Sequence, residues 1–246
     1  MEMAFHGAAY CGWQKQPEEK TVQAEVEKAL STAFQVQTEC AGAGRTDSGV
    51  HASHFVAHFD AEEIKDLDQM VFKLNQLLPH DISVSDVYQV DDEAHARFDA
   101  VSRAYEYFVT QKKDPFLLDR ATYIKRPLSI ELMNEAAQEL MNFTNFKSFS
   151  KVKTQVYTFN CKVMSAYWEQ KENVLIFKIK ADRFLRNMVR AIVGTLIEVG
   201  LKMKSVEEFK QIIESRNRNK AGKSMPAHAL FLSEINYPQH LKRQYG

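Results

Sequence analysis

Three glycines frame an arginine, a threonine and an aspartate within residues 42–52. Glycine permits sharp turns and lets a ligand approach the backbone closely, so this composition predicts a tight loop that presents Asp47 in a cleft. Arg45 lies two residues away and favours the ionised carboxylate, which could act as a nucleophile or a base. The alternative is a turn in which the Asp47 side chain only bonds its own backbone.

Three histidines, His51, His54 and His58, follow the aspartate. Imidazoles this close together could hold a metal ion, which leaves a metal-dependent hydrolase as one alternative function. Residues 52–59 alternate as a strand does, and this alternation separates His51 from the face shared by His54 and His58. Because no nearby cysteine completes a ligand set, the pattern argues against a metal site.

A strand over residues 103–110 would place Arg103, Tyr105 and Tyr107 on one face. A cation between aromatic rings could hold a nucleobase there. The alternative is a half-exposed sheet face on which the tyrosines simply pack.

Arg183, Arg186 and Arg190 recur at helical spacing beside apolar residues, which predicts a basic stripe on a helix over residues 184–199. Phosphates or a buried carboxylate are candidate partners, and solvated arginines are the alternative. Arg190 fits the solvated interpretation least, because it borders the apolar stripe. Positive charge is also concentrated at residues 216–223.

The spacing of apolar residues predicts helices and strands in both halves of the chain. Helices are expected over residues 21–34, 66–78, 129–141, 184–199 and from 205 onward, capped at Thr21 and by a Ser205–Glu208 capping box. Strands are expected near residues 52–59, 82–90, 103–110, 156–168, 174–181 and 230–235. This order indicates an α+β protein with antiparallel sheets covered by helices on one side, in two halves at residues 1–111 and 112–246.

The composition is that of a globular protein, with 45% hydrophobic and 26% charged residues among 246. No apolar run reaches the roughly 18 residues of a membrane span, and the N-terminus lacks a secretory signal, so we expect a cytoplasmic protein. Cys11, Cys40 and Cys161 form no C-x-x-C pair and are expected to be free thiols.

The charges are unevenly divided along the chain, although the formal net charge is zero. Residues 1–100 carry 7 basic and 18 acidic residues (7 − 18 = −11), and residues 101–246 carry 25 and 14 (25 − 14 = +11). Such a division indicates a basic face for a polyanion. Attraction between the halves, or to a second copy of the chain, is the alternative.

The order of its motifs makes the sequence resemble the tRNA pseudouridine synthase A family. The matching blocks cover nearly the whole chain and lie at residues 5–7, 12–16, 21–23, 44–52, 95–98, 103–107, 184–190 and 226–232. One Gly-Arg-Thr-Asp sequence can arise by chance, but ordered blocks at matching intervals are specific.

The resemblance implies two ferredoxin-like halves whose antiparallel sheets join around a central basic cleft, with the helices on the outer face. It implies a homodimer that holds one tRNA with both subunits. The implied reaction isomerises uridine to pseudouridine at positions 38, 39 and 40 in the anticodon stem-loop, with neither metal nor organic cofactor.

The resemblance also implies roles for individual residues. Asp47 matches the nucleophile, Tyr105 the tyrosine that stacks on the target base, and Arg190 the basic partner of the aspartate. Arg45 matches an arginine that helps to expose the base. The remaining substrate-binding candidates are His95, Arg97, Phe98 and Arg103.

Two positions depart from the family pattern: His6 stands where the family usually has aspartate, and Ala229 stands where glycine is common. They leave open a paralogue with a different uridine target. The basic second half leaves open a non-enzymatic tRNA binder or folding helper.

Overall fold

The computed structural model describes residues 1–62, 64–151 and 157–241. Its α-helices are α1 (Val22–Phe34), α2 (Leu67–Leu77), α3 (Ile130–Glu139), α4 (Met188–Gly200) and α5 (Val206–Glu214). Its strands are β1 (Glu2–Phe5), β2 (Ala41–Gly42), β3 (His51–His58), β4 (Ile82–Asp86), β5 (Ser102–Thr110), β6 (Thr122–Tyr123), β7 (Val163–Lys171), β8 (Val174–Ala181) and β9 (Leu230–Asn236). The chain divides into two compact units, one formed by Met1–Val101 with the residues from Leu232 onward, and one by Ser102–Phe231.

The first unit contains a sheet in the order β4-β1-β3-β9. Strand β1 pairs antiparallel with β3 and β4, and the short β2 pairs with β3. Helices α1 and α2 contact each other, and α2 also contacts β4. The core includes Phe5, Trp13 and Phe55, whose rings pack with the Trp13 and Phe55 centroids 4.2 Å apart.

The second unit contains the antiparallel strands β5, β8 and β7, with β6 parallel to β5. Helix α3 packs on β7 and contacts α4 and α5. Its core includes the fully buried side chains of Tyr107, Met133, Phe177 and Phe209. Together the two units show a mixed protein of helices and antiparallel strands, in agreement with the predicted α+β class. The ferredoxin-like form of the halves and their bounds stay predictions.

The predicted helix caps are confirmed. The Thr21 hydroxyl accepts a hydrogen bond from Ala24 N at the start of α1. Ser205 Oγ accepts from Glu208 N, and the Glu208 carboxylate accepts from Ser205 N, which completes the capping box of α5. These short-range signals are readable in sequence because donor and acceptor lie within one turn.

Two elements begin later in the structure than the sequence predicts. Helix α4 begins at Met188, not near residue 184, because Asn187 adopts a left-handed conformation with φ +67° that interrupts helical geometry. Arg183 and Arg186 therefore precede the helix, and the predicted basic stripe is wrong except for Arg190. Strand β7 begins at Val163, not near residue 156, and residue 156 itself lies outside the described residues.

Within the described ranges, none of the helices is long and apolar enough to cross a membrane.

Candidate active site

The Asp47 loop connects β2 to β3 in the first unit. The turn after Asp47 closes through the backbone, because Val50 N donates to Asp47 O at 3.2 Å and Gly49 adopts φ +78°. Gly49 N and Ser48 Oγ both donate to the carbonyl oxygen of Tyr10, at 3.2 and 3.3 Å. The turn thus has backbone support of its own.

Two glycines outside the motif let residues 7–12 pack directly beneath the loop. A Cβ atom at Gly7 would lie 1.9 Å from Val50 O, and one at Gly12 would lie 2.4 Å from Thr46 O. Gly12 also adopts φ +86°. Any side chain at these positions would displace the loop backbone, so its conformation depends on distant glycines. In this arrangement Asp47 is half-buried and Arg45 is exposed.

A short turn over residues 95–99 of the first unit carries three predicted substrate-binding residues. His95 N donates to Asp99 Oδ2 at 2.7 Å, and Asp99 N donates back to His95 O at 3.1 Å. The rings of His95 and Phe98 lie 4.3 Å apart, and the Arg97 guanidinium lies 5.5 Å from the Phe98 ring centroid. Phe98 is 72% exposed, so its ring is available for stacking on a base.

His58 on β3 supports this turn. Its Nδ1 accepts a hydrogen bond from Ala96 N at 3.1 Å, and its ring meets that of His95 at 4.6 Å in an edge-on arrangement. An Nδ1 that accepts a backbone N–H carries no proton, so the imidazole is neutral in this geometry. Burial, and secondarily His95, lower the pKa of His58, which favours the same neutral form.

The three clustered histidines have three different structural partners. His51 Nδ1 accepts from Gly7 N at 3.0 Å, and His54 Nδ1 accepts from Ile235 N at 3.2 Å. In the part of the chain that the structure describes, no group of three or more histidine, cysteine, aspartate or glutamate side chains is placed to hold a metal ion.

Strand β5 in the second unit carries Arg103, Tyr105 and Tyr107. Arg103 Nη1 donates to Asp182 O at 3.0 Å, and the Tyr105 ring meets Phe184 edge-on with centroids 5.1 Å apart. Tyr105 is half-buried, whereas Tyr107 is fully buried. The same face of β5 therefore carries the partly accessible Tyr105 ring and the Tyr107 ring, which packs in the core.

Arg190 lies in the first turn of α4. A cation there is unfavourable for the helix dipole, so helix stability does not account for it. Arg190 Nε donates to Met225 O at 2.7 Å, and Met225 N donates to Arg190 O at 3.0 Å. The Arg190 charge also acts on Tyr107, whose pKa is raised mainly by burial and is lowered in part by this cation. The Tyr107 hydroxyl donates to Pro226 O at 3.0 Å, next to Met225, so the start of α4 lies close to β5.

Comparison with known proteins agrees with the resemblance found in the sequence. The sequence model of the tRNA pseudouridine synthase family matches residues 2–99 and 136–238. A tRNA pseudouridine synthase A of Bacteroides fragilis is 52% identical over 97% of this chain and 96% of its own length. The protein of the same name from Dictyoglomus thermophilum is 38% identical over 96% of this chain and 98% of its own length.

The chain belongs to the tRNA pseudouridine synthase family. The predicted family, the isomerase class and the isomerisation of tRNA uridine are thereby confirmed. The roles assigned to single residues remain predictions. The structure locates each residue: Arg45 and Asp47 share a loop, His95, Arg97 and Phe98 share a turn, Arg103 and Tyr105 share β5, and Arg190 lies in the first turn of α4.

The structure shows two supporting contacts that the sequence did not suggest. His58, a candidate metal ligand by sequence, accepts a hydrogen bond from the turn at residues 95–99. Met225 holds Arg190 through two backbone groups. No local pattern marks these contacts, because their partners lie 35 to 38 residues apart in sequence.

Proposed function

We propose that the protein converts uridine to pseudouridine at positions 38, 39 and 40 in the anticodon stem-loop of tRNA, with Asp47 as the nucleophile. The observation that carries the proposal is the loop, held by backbone hydrogen bonds and packed closely against Gly7 and Gly12, on which Asp47 and Arg45 lie two residues apart. The family provides the reaction, and this loop is the part of the chain whose chemistry suits it best.

The reaction breaks the bond from C1′ of the sugar to N1 of uracil and forms one from C1′ to C5. It requires a nucleophile for the sugar or the base, a means to retain the freed uracil, and an acceptor for the proton on C5. The Asp47 carboxylate supplies the nucleophile. Retention of uracil keeps its effective concentration high, so that rotation of the base leads to reattachment.

The other assigned residues complete the proposal. Tyr105 stacks on the target base and can take part in proton transfer, while Arg190 is the basic partner of Asp47. Arg45 helps the base to leave its stack, a step that costs a few kcal/mol and costs least in loops and at weakly paired stem ends. Arg103 and the residues of the 95–99 turn contact the tRNA. The exposed Phe98 ring supports this role.

The finer architecture also belongs to the proposal. We expect two ferredoxin-like halves around a central basic cleft, a cytoplasmic location, and a homodimer that holds one tRNA. Light scattering tests the dimer, since it would report a mass twice the 28.3 kDa of one chain.

Substitution of Asp47 tests the chemistry directly. Asp47→Asn preserves the size of the side chain and removes its charge, so we expect pseudouridine formation to fall by more than about 10³-fold. Unmodified tRNA would be incubated with enzyme in the presence of a chelator, and pseudouridine would be mapped at each position. Asp68→Asn, an exposed aspartate at the start of α2, serves as the matched control.

The outcomes separate the alternatives. Full activity of Asp47→Asn would disprove the nucleophile. Pseudouridine at positions outside 38–40 would indicate a paralogue with another target. If a strain that lacks the gene is rescued fully by Asp47→Asn, the main cellular role is tRNA binding or folding rather than isomerisation.

A further inference from the structure

Residues 221–226, which we name the 221–226 segment, run alongside the first half of α4. The two backbones meet directly: a Cβ atom at Gly194 would lie 1.8 Å from Lys223 O, and one at Gly222 would lie 2.9 Å from Thr195 N. Gly222 N donates to Thr195 Oγ1 at 2.9 Å. Because close-packed backbones transmit displacement, the position of this segment determines the position of what it holds.

The group held by the segment is the Arg190 side chain. Met225 O accepts from Nε of its guanidinium at 2.7 Å, and Met225 N donates to the Arg190 carbonyl. The guanidinium is planar, so a bond at Nε fixes the direction in which its terminal nitrogens point. A shift of Met225 would therefore turn or displace the cation.

Arg218 anchors the segment from outside. Its Nη1 donates to Gly222 O at 3.0 Å and to Ala221 O at 3.4 Å, and its Nη2 donates to Ser224 Oγ at 2.9 Å. The same Ser224 hydroxyl accepts from Asn187 Nδ2 at 2.6 Å, at the residue that caps α4. Arg218 thus links the segment to the place where α4 begins.

Arg218 differs from the rest of the basic run in which it lies. Arg216, Lys220 and Lys223 are exposed, whereas Arg218 is half-buried and burial lowers the pKa of its guanidinium. The sequence shows only a run of positive charge. The structure shows that one of its members turns inward and donates to two carbonyls and a hydroxyl of the same chain.

We propose that Arg218 is a positioning residue for Arg190, acting through the 221–226 segment, and that it is not a phosphate contact. The inference rests on the proposed function, in which Arg190 is the basic partner of the nucleophile. It adds a structural requirement for that partner, namely a second arginine that sets where the first one lies.

Arg218→Lys is the decisive variant, because it keeps the positive charge and loses the planar fork that reaches two carbonyls and a hydroxyl at once. We expect kcat for pseudouridine formation to fall about 10- to 100-fold, as misplacement of a catalytic group does. We expect the KM for tRNA and the salt dependence of tRNA binding to stay within about twofold of wild type, since the charge is retained. Arg120→Lys, at an exposed arginine of the same unit, should match wild type in all three measurements.

A direct structural measurement accompanies the kinetics. Hydrogen exchange of the Met225 amide, which donates to Arg190 O, should become at least about tenfold faster in folded Arg218→Lys. Ser224→Ala is a second variant, which leaves Arg218 and its two carbonyl contacts in place and removes the hydroxyl that accepts from both Arg218 and Asn187. It should lower kcat in the same direction by a smaller factor, and it keeps the test valid if Arg218→Lys does not fold.

Other results would overturn the positioning role of Arg218. If Arg218→Lys and Ser224→Ala keep wild-type kcat, the positioning role is wrong. If Arg218→Ala raises KM and lowers the salt dependence while Arg218→Lys restores both, Arg218 contacts a phosphate. If the wild-type enzyme forms no pseudouridine, the proposed function fails. If hydrogen exchange at the Met225 amide is unchanged in the variants, Arg218 does not position Arg190 through the 221–226 segment, whatever the kinetics show.

Discussion

His58 shows how one side chain can fix the turn that carries three of the proposed substrate-binding residues. Its unprotonated Nδ1 accepts the Ala96 N–H, so the turn at residues 95–99 depends on a neutral imidazole. Burial lowers the pKa of His58, and the neighbouring His95 and the N-terminal amine lower it further, while Asp60 and Asp99 oppose them. The net direction favours the neutral form at physiological pH.

This shift predicts a pH dependence of stability. Unfolded histidine binds a proton near pH 6.5, and folded His58 binds it only at lower pH, so acidification below about 6.5 favours the unfolded state. Above that pH His58 therefore makes its full contribution to the free energy of unfolding, and this contribution is lost as the pH falls. His58→Asn keeps an acceptor near the Nδ1 position and cannot be protonated, so its free energy of unfolding should fall less than that of wild type between about pH 7.5 and pH 5.

Urea unfolding at the two pH values measures the difference. His80→Asn, at an exposed histidine, should show the wild-type pH dependence. An unchanged pH dependence in His58→Asn would mean that folding does not lower the pKa of His58, and that the turn does not depend on its neutral imidazole.

At the scale of elements, α4 is defined by close packing rather than by its own sequence preference. It contains Gly194, a poor helix former, at the point where the backbone of the 221–226 segment meets it. In an isolated helix, replacement of glycine by alanine would stabilise by about 1 kcal/mol. Here the added methyl group would collide with Lys223 O.

Gly194→Ala should therefore destabilise the protein, by about 1 to 3 kcal/mol, as overpacking of a core does. Chemical denaturation measures the change. Gly44→Ala is the matched control, because a Cβ there meets nothing within 4 Å. Should Gly194→Ala prove as stable as wild type or more so, the helix and the segment are not in contact in solution.

At the scale of the whole molecule, the zero net charge conceals a basic second half of +11 (25 − 14). A tRNA partner releases counterions from each phosphate that a lysine or arginine neutralises, so affinity should decrease steeply with salt. Lys220 is exposed within the basic run, unlike Arg218. It is therefore, like the exposed Arg216 and Lys223, a member of the run that is suited to a phosphate.

Lys220→Ala should reduce the slope of log affinity against log salt by about 1. Binding of unmodified tRNA at several salt concentrations provides the slope. Lys28→Ala, an exposed lysine in the acidic half, should leave the slope as in wild type. Equal effects of the two substitutions would show that the run does not direct tRNA binding.

The sequence alone determined the family, the reaction, the α+β class and most element positions, including the caps at Thr21 and Ser205. These features depend on residues close together in the chain or on ordered motifs. Only the tertiary structure decided that α4 begins at Met188, that His58 supports a turn and that Arg218 points inward. The physical reason is that each depends on a hydrogen bond, a backbone conformation or a close approach set by partners beyond the local pattern, which periodicity and charge cannot reveal.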